Sequence, residues 1–416
     1  MCSYRTLLGL FVSNFILISF TPCSTQELLQ DEERGLLLPD FNNYDDASTP
    51  DLIRRYGYPA EVYSVTTDDG YILELHRIPH GKNRKADPYK KPVFLQHGLL
   101  TCSADWVFNG PNVSLAILLA DKGYDVWMGN YRGNTYSRRH IKYSPEKLEF
   151  WNFSFHEMGL YDAPASIDFI LKKTNQDKVT YIGHSMGTTI FYIMASMRPE
   201  YNDKILAQFS LAPIAYLGHT TSPVRLLAPI GDIIYKFGNA FFHGEFLSRS
   251  PLLDKALKLF FTLYKGQMIF LQNIIFAIAG KDPDQFKYTV IPKLVGHDPA
   301  GISFKALLHY AQFINNPNTF RQFDYGPVEN LQLYNSPVPP DYNISAITAK
   351  VALFYGQNDL FGNPTDVKLF YPQLPNPFGL IRVNHPAFMH VDFLWAKDVV
   401  PLLYNKVFQM MDSLIS

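Results

Sequence analysis

The stretch Val179-Thr180-Tyr181-Ile182-Gly183-His184-Ser185-Met186-Gly187-Thr188-Thr189 is a short apolar run that leads straight into Gly-x-Ser-x-Gly. The spacing predicts a buried strand, a sharp turn at Ser185 and then a helix, which is the nucleophile-elbow pattern. A serine hydroxyl attacks poorly unless a base takes its proton, so the turn has to hold Ser185 above the sheet where a histidine can reach it. Gly183 and Gly187 leave the room that strand and helix need to close around a strained residue. A five-residue match also fits a glycine-rich turn with a surface serine, so the surroundings decide.

Those surroundings alternate strand and helix. Upstream, Pro92-Val93-Phe94-Leu95-Gln96 reads as a buried strand that ends in His97-Gly98-Leu99-Leu100. Residues 114–122 place Leu115, Leu118 and Leu119 at helical spacing before a stop at Gly123, and Tyr124-Asp125-Val126-Trp127-Met128 follows as another strand. Asp162 and Pro164 open a helix with the apolar face Ile167, Ile170 and Leu171, which delivers the chain to the elbow strand. Beyond the elbow, residues 206–211 add a strand before Ala212-Pro213 breaks it. Strand, helix, strand at this spacing means right-handed crossovers and a mostly parallel sheet. Ahead of this unit, alternation over 61–66 and 71–76 on either side of Asp69-Gly70 predicts a hairpin, followed by a polar loop over 81–85.

From Tyr216 the texture changes. No clear strand is expected until Lys350, and apolar clusters at helical spacing dominate, such as Leu253, Ala256, Leu257 and Phe260. Residues 216–343 therefore read as a helical cap and lid inserted over the sheet. Their greasiest run, 268–279, is interrupted by Gln272 and Asn273 and is too short to span a bilayer. Sheet character returns at Val351-Ala352-Leu353-Phe354-Tyr355 and near Leu380-Ile381-Arg382-Val383, and a helix over 399–414 closes the chain. The expected division is a processing segment over 1–23, two halves of an α/β core over 24–215 and 344–416, and the insertion between them.

The 416 residues are 47% hydrophobic and 18% charged with net charge -1, the balance of a soluble globular protein. No basic stripe or run of five like charges is present, which argues against nucleic acid as a partner. Aromatics reach 15%, which serves an aromatic-rich core and also suits a lipid partner. The apolar stretch from Leu7 to Ile18 behind Arg5 suits a secretory signal peptide, with an uncleaved anchor as the alternative. Cleavage near Cys23 leaves too few cysteines for a disulfide framework, so packing alone has to hold the fold. Three sequons, at Asn112, Asn152 and Asn343, fit glycosylation on an export route. The expectation is a secreted monomer, with the lysosomal lumen as the other destination.

In such a fold, active groups sit at the carboxyl ends of parallel strands. Ser185, Asp359 and His390 each follow a predicted strand, in the chain order serine, acid, histidine that this architecture uses. Ser185 is then the nucleophile, His390 its base and Asp359 the group that orients the imidazole. Residue spacing leaves Asp366 as a second acid and His385 as a second base. The oxyanion needs backbone donors, for which the N–H groups of Met186 and of Leu99 are the candidates. His97 and His184 flank the site and read as packing or hydrogen-bonding residues, and Cys102 as a buried free thiol. No His-x-x-x-His or Cys-x-x-Cys pattern calls for a metal, and no cofactor is expected.

The chain resembles the acid lipase family, which includes gastric and lysosomal acid lipases. The likeness is carried by Gly57-Tyr58-Pro59, Thr67-Asp68-Asp69-Gly70-Tyr71-Ile72-Leu73, Gln96-His97-Gly98-Leu99-Leu100, Gly129-Asn130-Tyr131-Arg132-Gly133-Asn134, Gly183-His184-Ser185, Asn358-Asp359-Leu360 and His390-Val391-Asp392-Phe393, across residues 56–403. The resemblance implies an α/β-hydrolase core, a helical cap with a mobile lid, no cofactor, and hydrolysis of triacylglycerols or cholesteryl esters. It also favours His390 over His385, because the family's histidine opens the His-x-Asp-Phe stretch. Two positions depart from the family: Met186 stands where glutamine is common, and the cap has no cysteine for the disulfide of mammalian members.

Overall fold

The computed structural model describes residues 47–83, 87, 91–249, 255 and 267–414. The expected signal segment, the end of the polar loop after Asn83, and the apolar cluster Leu253, Ala256, Leu257 and Phe260 lie outside those residues.

The chain builds strands β1 (Glu61–Thr66), β2 (Tyr71–Ile78), β3 (Val93–Gln96), β4 (Val126–Met128), β5 (Arg139–His140), β6 (Val179–His184), β7 (Ile205–Leu211), β8 (Glu245–Phe246), β9 (Ile302–Ser303), β10 (Val351–Tyr355) and β11 (Pro377–Arg382). Eight of them lie in the order β1-β2-β4-β3-β6-β7-β10-β11, with β5 pairing on β2. The pairs from β4 through to β11 are parallel, and β1, β2 and β5 add the antiparallel edge. The β1–β2 turn closes as its sequence predicts: Gly70 takes φ +97°, and the peptide N–H of Tyr71 donates to Thr67 Oγ1 at 2.9 Å.

The order decides where a site can form. After β3 the chain adds β4 on one side and then crosses to β6 on the other, so the carboxyl ends of β3 and β6 open a crevice. Side chains alternate across the sheet to feed two cores. Phe94, Trp127, Tyr181 and Leu353 meet Ile167 and Ile170 of helix Ala163–Thr174 and Ile190 and Ile193 of helix Met186–Met197. On the opposite face Leu95, Met128, Ile182 and Phe354 meet Leu119 of helix Leu115–Asp121 and Val407 of helix Asn405–Asp412.

Asp162 does not start its helix. The helix is already under way at Phe155, where Ser154 and Glu157 form a capping box, and it passes through a wide turn over Met158–Asp162 before Ala163–Thr174. Pro164 explains the wide turn, since a proline ring inside a regular helix collides with the carbonyl one turn earlier. The same device recurs in the closing helix, where Val400–Tyr404 widens around Pro401.

Between Tyr216 and Asn343 the described residues include helices Gly231–Phe242, Gln267–Ala279, Val290–His297, Phe304–Asn315 and Pro327–Tyr334. The sequence expectation of no strand there is corrected by β8 and β9, which pair antiparallel. At two residues each they are too short to carry an alternation. No helix among the described residues is long and apolar enough to cross a membrane.

Candidate active site

Ser185 sits where β6 turns into helix Met186–Met197, at φ +52° and ψ −118°. This backbone is unfavourable for a residue with a Cβ, by about 1–3 kcal/mol. Its surroundings enforce it. The Ser185 N–H still donates to Leu211 O at 3.0 Å, and the Ser185 carbonyl accepts from Thr188 Oγ1 at 2.7 Å. A Cβ on Gly183 would lie 2.7 Å from the Gly187 carbonyl carbon, and one on Gly187 would lie 2.4 Å from Gln96 O. Strand, turn and helix therefore meet at a separation that no side chain permits.

The loops after β10 and β11 bring the partners. His390 Nε2 is 2.8 Å from Ser185 Oγ, and His390 Nδ1 is 2.9 and 3.0 Å from the two carboxyl oxygens of Asp359. Asp359 Oδ1 also accepts the N–H of Phe361 at 2.9 Å and of Gly362 at 2.7 Å, which fixes the carboxylate. An ionised carboxylate only accepts, so Nδ1 carries the imidazole proton and Nε2 is left to accept from the serine hydroxyl. Both Asp359 and His390 are buried.

The other candidates are held elsewhere. Asp366 accepts from the N–H of His219 at 2.9 Å and lies 2.7 Å from His219 Nδ1, while His385 Nε2 lies 2.7 Å from Asp282 Oδ2. Cys102 is a buried free cysteine whose thiol is pushed well up by burial. Burial pushes His184 down to about 3, and its neutral ring donates from Nε2 to the His390 carbonyl at 3.0 Å. It supports the backbone of the base.

The loop after β3 comes against the nucleophile, since a Cβ on Gly98 would lie 3.2 Å from Ser185 Cβ. Leu99 follows it. Met186 opens the helix, where geometry leaves its N–H outside the helix's own ladder and the helix terminus favours negative charge. The Met186 side chain is buried in the core, so glutamine's replacement leaves the backbone donor in place.

His97, read from the sequence as a packing or hydrogen-bonding residue, holds that loop through partners the sequence did not show. His97 Nδ1 donates to Gly98 O at 2.9 Å, so Nε2 is bare and accepts from Tyr131 N at 3.3 Å and from Asn134 Nδ2 at 3.1 Å. Burial pushes the ring down to about 4, which suits this neutral tautomer. The turn that supplies those donors is anchored by the buried Arg132, whose guanidinium bonds Asp162 at 2.8 Å and Asp69 at 2.6 and 2.9 Å and lies 3.9 Å from the Tyr71 ring centre. The density of polar residues in Gly129-Asn130-Tyr131-Arg132-Gly133-Asn134 was the available signal, because a segment that polar is buried only when its groups satisfy one another.

Residues 91–390 match the family model for the alpha/beta hydrolase fold, and residues 49–110 match the partial alpha/beta-hydrolase lipase region. The chain is 41% identical over 369 residues to gastric triacylglycerol lipase of Rattus norvegicus, covering 86% of this chain and 90% of that protein. It is 38% identical over 391 residues to lysosomal acid lipase/cholesteryl ester hydrolase of Macaca fascicularis, covering 94% and 96%. The chain belongs to the acid lipase family of α/β-hydrolases. Lipase 1 of Drosophila melanogaster is 40% identical over 367 residues, covering 88% of this chain and 79% of that protein.

Proposed function

We propose that this acid lipase family member is a serine ester hydrolase that cleaves acyl esters of neutral lipids, triacylglycerol or cholesteryl ester, through an acyl-enzyme intermediate. The observation that carries the proposal is the 2.8 Å contact between His390 Nε2 and Ser185 Oγ, with Nδ1 on the Asp359 carboxylate. His390 takes the hydroxyl proton as Oγ attacks the ester carbonyl carbon, and Asp359 stabilises the imidazolium that forms. The N–H groups of Leu99 and Met186 receive the oxyanion, each worth about 3 kcal/mol in the transition state. His390 then returns the proton to the leaving alcohol as the C–O bond breaks. Water repeats the sequence on the acyl-serine and releases the fatty acid.

The names of the relatives, a triacylglycerol lipase and a cholesteryl ester hydrolase, set the two substrate classes. Residues 216–343 act as the cap over the site and meet the lipid surface. Leu226, Ile230, Ile233, Phe237 and Phe241 recur there at helical spacing and are all exposed. Residues 1–23 direct export, and Asn112, Asn152 and Asn343, exposed in the fold, are the glycan acceptors of a monomer that is secreted or delivered to lysosomes.

Wild-type protein should hydrolyse emulsified triolein or cholesteryl oleate, and Ser185→Ala should lose roughly six orders of magnitude in kcat. An organophosphonate should label wild type at Ser185 with one equivalent. Turnover that survives the substitution removes Ser185 from the mechanism.

A further inference from the structure

Residues 279–282, which leave the end of helix Gln267–Ala279, run between the two loops that carry the acid and the base. The Ala279 carbonyl accepts both the N–H of Leu360, next to Asp359, at 3.4 Å and the N–H of His390 itself at 3.2 Å. Asn358 Nδ2 donates to Lys281 O at 2.9 Å and to Ala387 O at 3.2 Å. Gly280, at φ +122°, leaves no space: a Cβ there would lie 2.3 Å from Asn358 O and 2.6 Å from Met389 Cβ.

Asp282 completes the contact. Its side chain has no exposed surface, and His385 Nε2 lies 2.7 Å from its Oδ2. It meets the carboxyl of Asp392, whose Oδ2 accepts the N–H of Met389 at 2.8 Å. Two buried carboxylates in contact cannot both be ionised without a large penalty, so one proton stays between them.

We infer that residues 279–282 are a positioning brace for the base: their backbone ties the Asp359 loop to the His390 loop, and the Asp282–Asp392 pair, holding one proton, locks the turn from Met389 to Asp392 that presents the imidazole. This rests on His390 serving as the base of the ester hydrolysis proposed above. The ionisable groups around the pair are His385, which lies 2.7 Å from Asp282, and Asp359 on the β10 loop, whose own partner is His390. Burial, then the charges of Asp282 and Asp359, push the Asp392 carboxyl up to about 9 against the pull of the Met389 N–H. In this arrangement Asp392 is the neutral donor and Asp282 the acceptor. Above that pH the second ionisation sets two charges against each other and opens the turn.

The test is kcat and KM on a soluble short-chain ester from pH 5 to about 10, with rates counted per Ser185 titrated by organophosphonate. Asp392→Ala and Asp282→Ala should lower kcat at least about tenfold and leave KM within about twofold, because a misplaced base slows chemistry without weakening binding. Asp392→Asn keeps both the acceptor for Met389 and a donor for Asp282. It should recover most of what Asp392→Ala loses, and its rate should hold above pH 9, where the wild-type rate is expected to fall. The inference is overturned if Asp392→Ala keeps the wild-type kcat and pH profile, if Asp392→Asn is as slow as Asp392→Ala, or if Asp392→Asn declines at the same alkaline pH as wild type. The isosteric Asn variant decides the matter if the alanine variants do not fold. Failure of wild type itself to be labelled at Ser185 would strike the hydrolase proposal instead.

Discussion

His390 works only in one tautomer, and the carboxylate of Asp359 selects it. Asp359→Asn retains the shape of the loop but offers Nδ1 a mixed donor and acceptor, so the proton can settle on Nε2, where it blocks the serine. The expected result is a kcat lower by about four orders of magnitude with an unchanged far-ultraviolet spectrum. A loss under tenfold would mean that Asp359 does little to orient the ring. Arg132 illustrates the opposite kind of residue, one that touches no substrate. It is fully buried between Asp69 and Asp162, and Arg132→Ala leaves Asp162 buried without its partner. Denaturant unfolding should show a loss of about 3–5 kcal/mol, and an unchanged midpoint would show that water replaces the guanidinium.

Among the elements, the loop after β3 depends most on a distant neighbour. His97→Ala removes the acceptor for Tyr131 N and Asn134 Nδ2 and the donor to Gly98 O, so the Leu99 N–H loses its fixed place. The kcat should fall by about 10²–10³ while KM moves little, as for an oxyanion donor lost; a change confined to KM would place His97 in substrate binding. The sequence carried much of this architecture in local form. The hairpin at Gly70, the elbow at Ser185 and the strands before Asp359 and His390 each depend on a period or a turn residue that neighbours can report. Local spacing could not choose between His385 and His390, because both follow β11 and only the fold shows which ring reaches Ser185. Nor could it show Asp282, whose partners His385 and Asp392 lie about a hundred positions further along the chain. Asp162 misled for a related reason: an aspartate two residues before a proline reads as a helix start, but its carboxylate is taken by the distant Arg132 and the helical backbone runs through it.

Two buried carboxyl pairs join the inserted interval to the core, Asp282 with Asp392 and Asp298 with Asp105. Burial pushes Asp105 up to about 7 and Asp298 well above its ordinary range. A carboxyl raised above its unfolded value near 3.9 stabilises the fold fully below that value, and the contribution fades as pH climbs through the folded value. The buried His97, His184 and His309 act in the opposite sense. Burial pushes them down to about 4, 3 and 3, so their contribution is complete above about 6.5 and lost as pH falls toward those values. Stability should therefore peak between about pH 4 and 7. Asp298→Asn, which cannot ionise, should shrink the drop in Tm between about pH 5 and 8 by several degrees, since a tenfold difference in proton affinity between folded and unfolded chain is worth about 1.4 kcal/mol. An identical drop in the variant would exclude the pair as its source.

Because the Ala279 carbonyl receives N–H groups from both the acid loop and the base loop, the interval between β7 and β10 is not a detachable module. A chimera that borrowed this interval from a relative to change substrate preference would need to preserve the seam at 279–282 together with Asn358 and Asp392. Without that match, the exchange would confer a new binding surface on a silent enzyme.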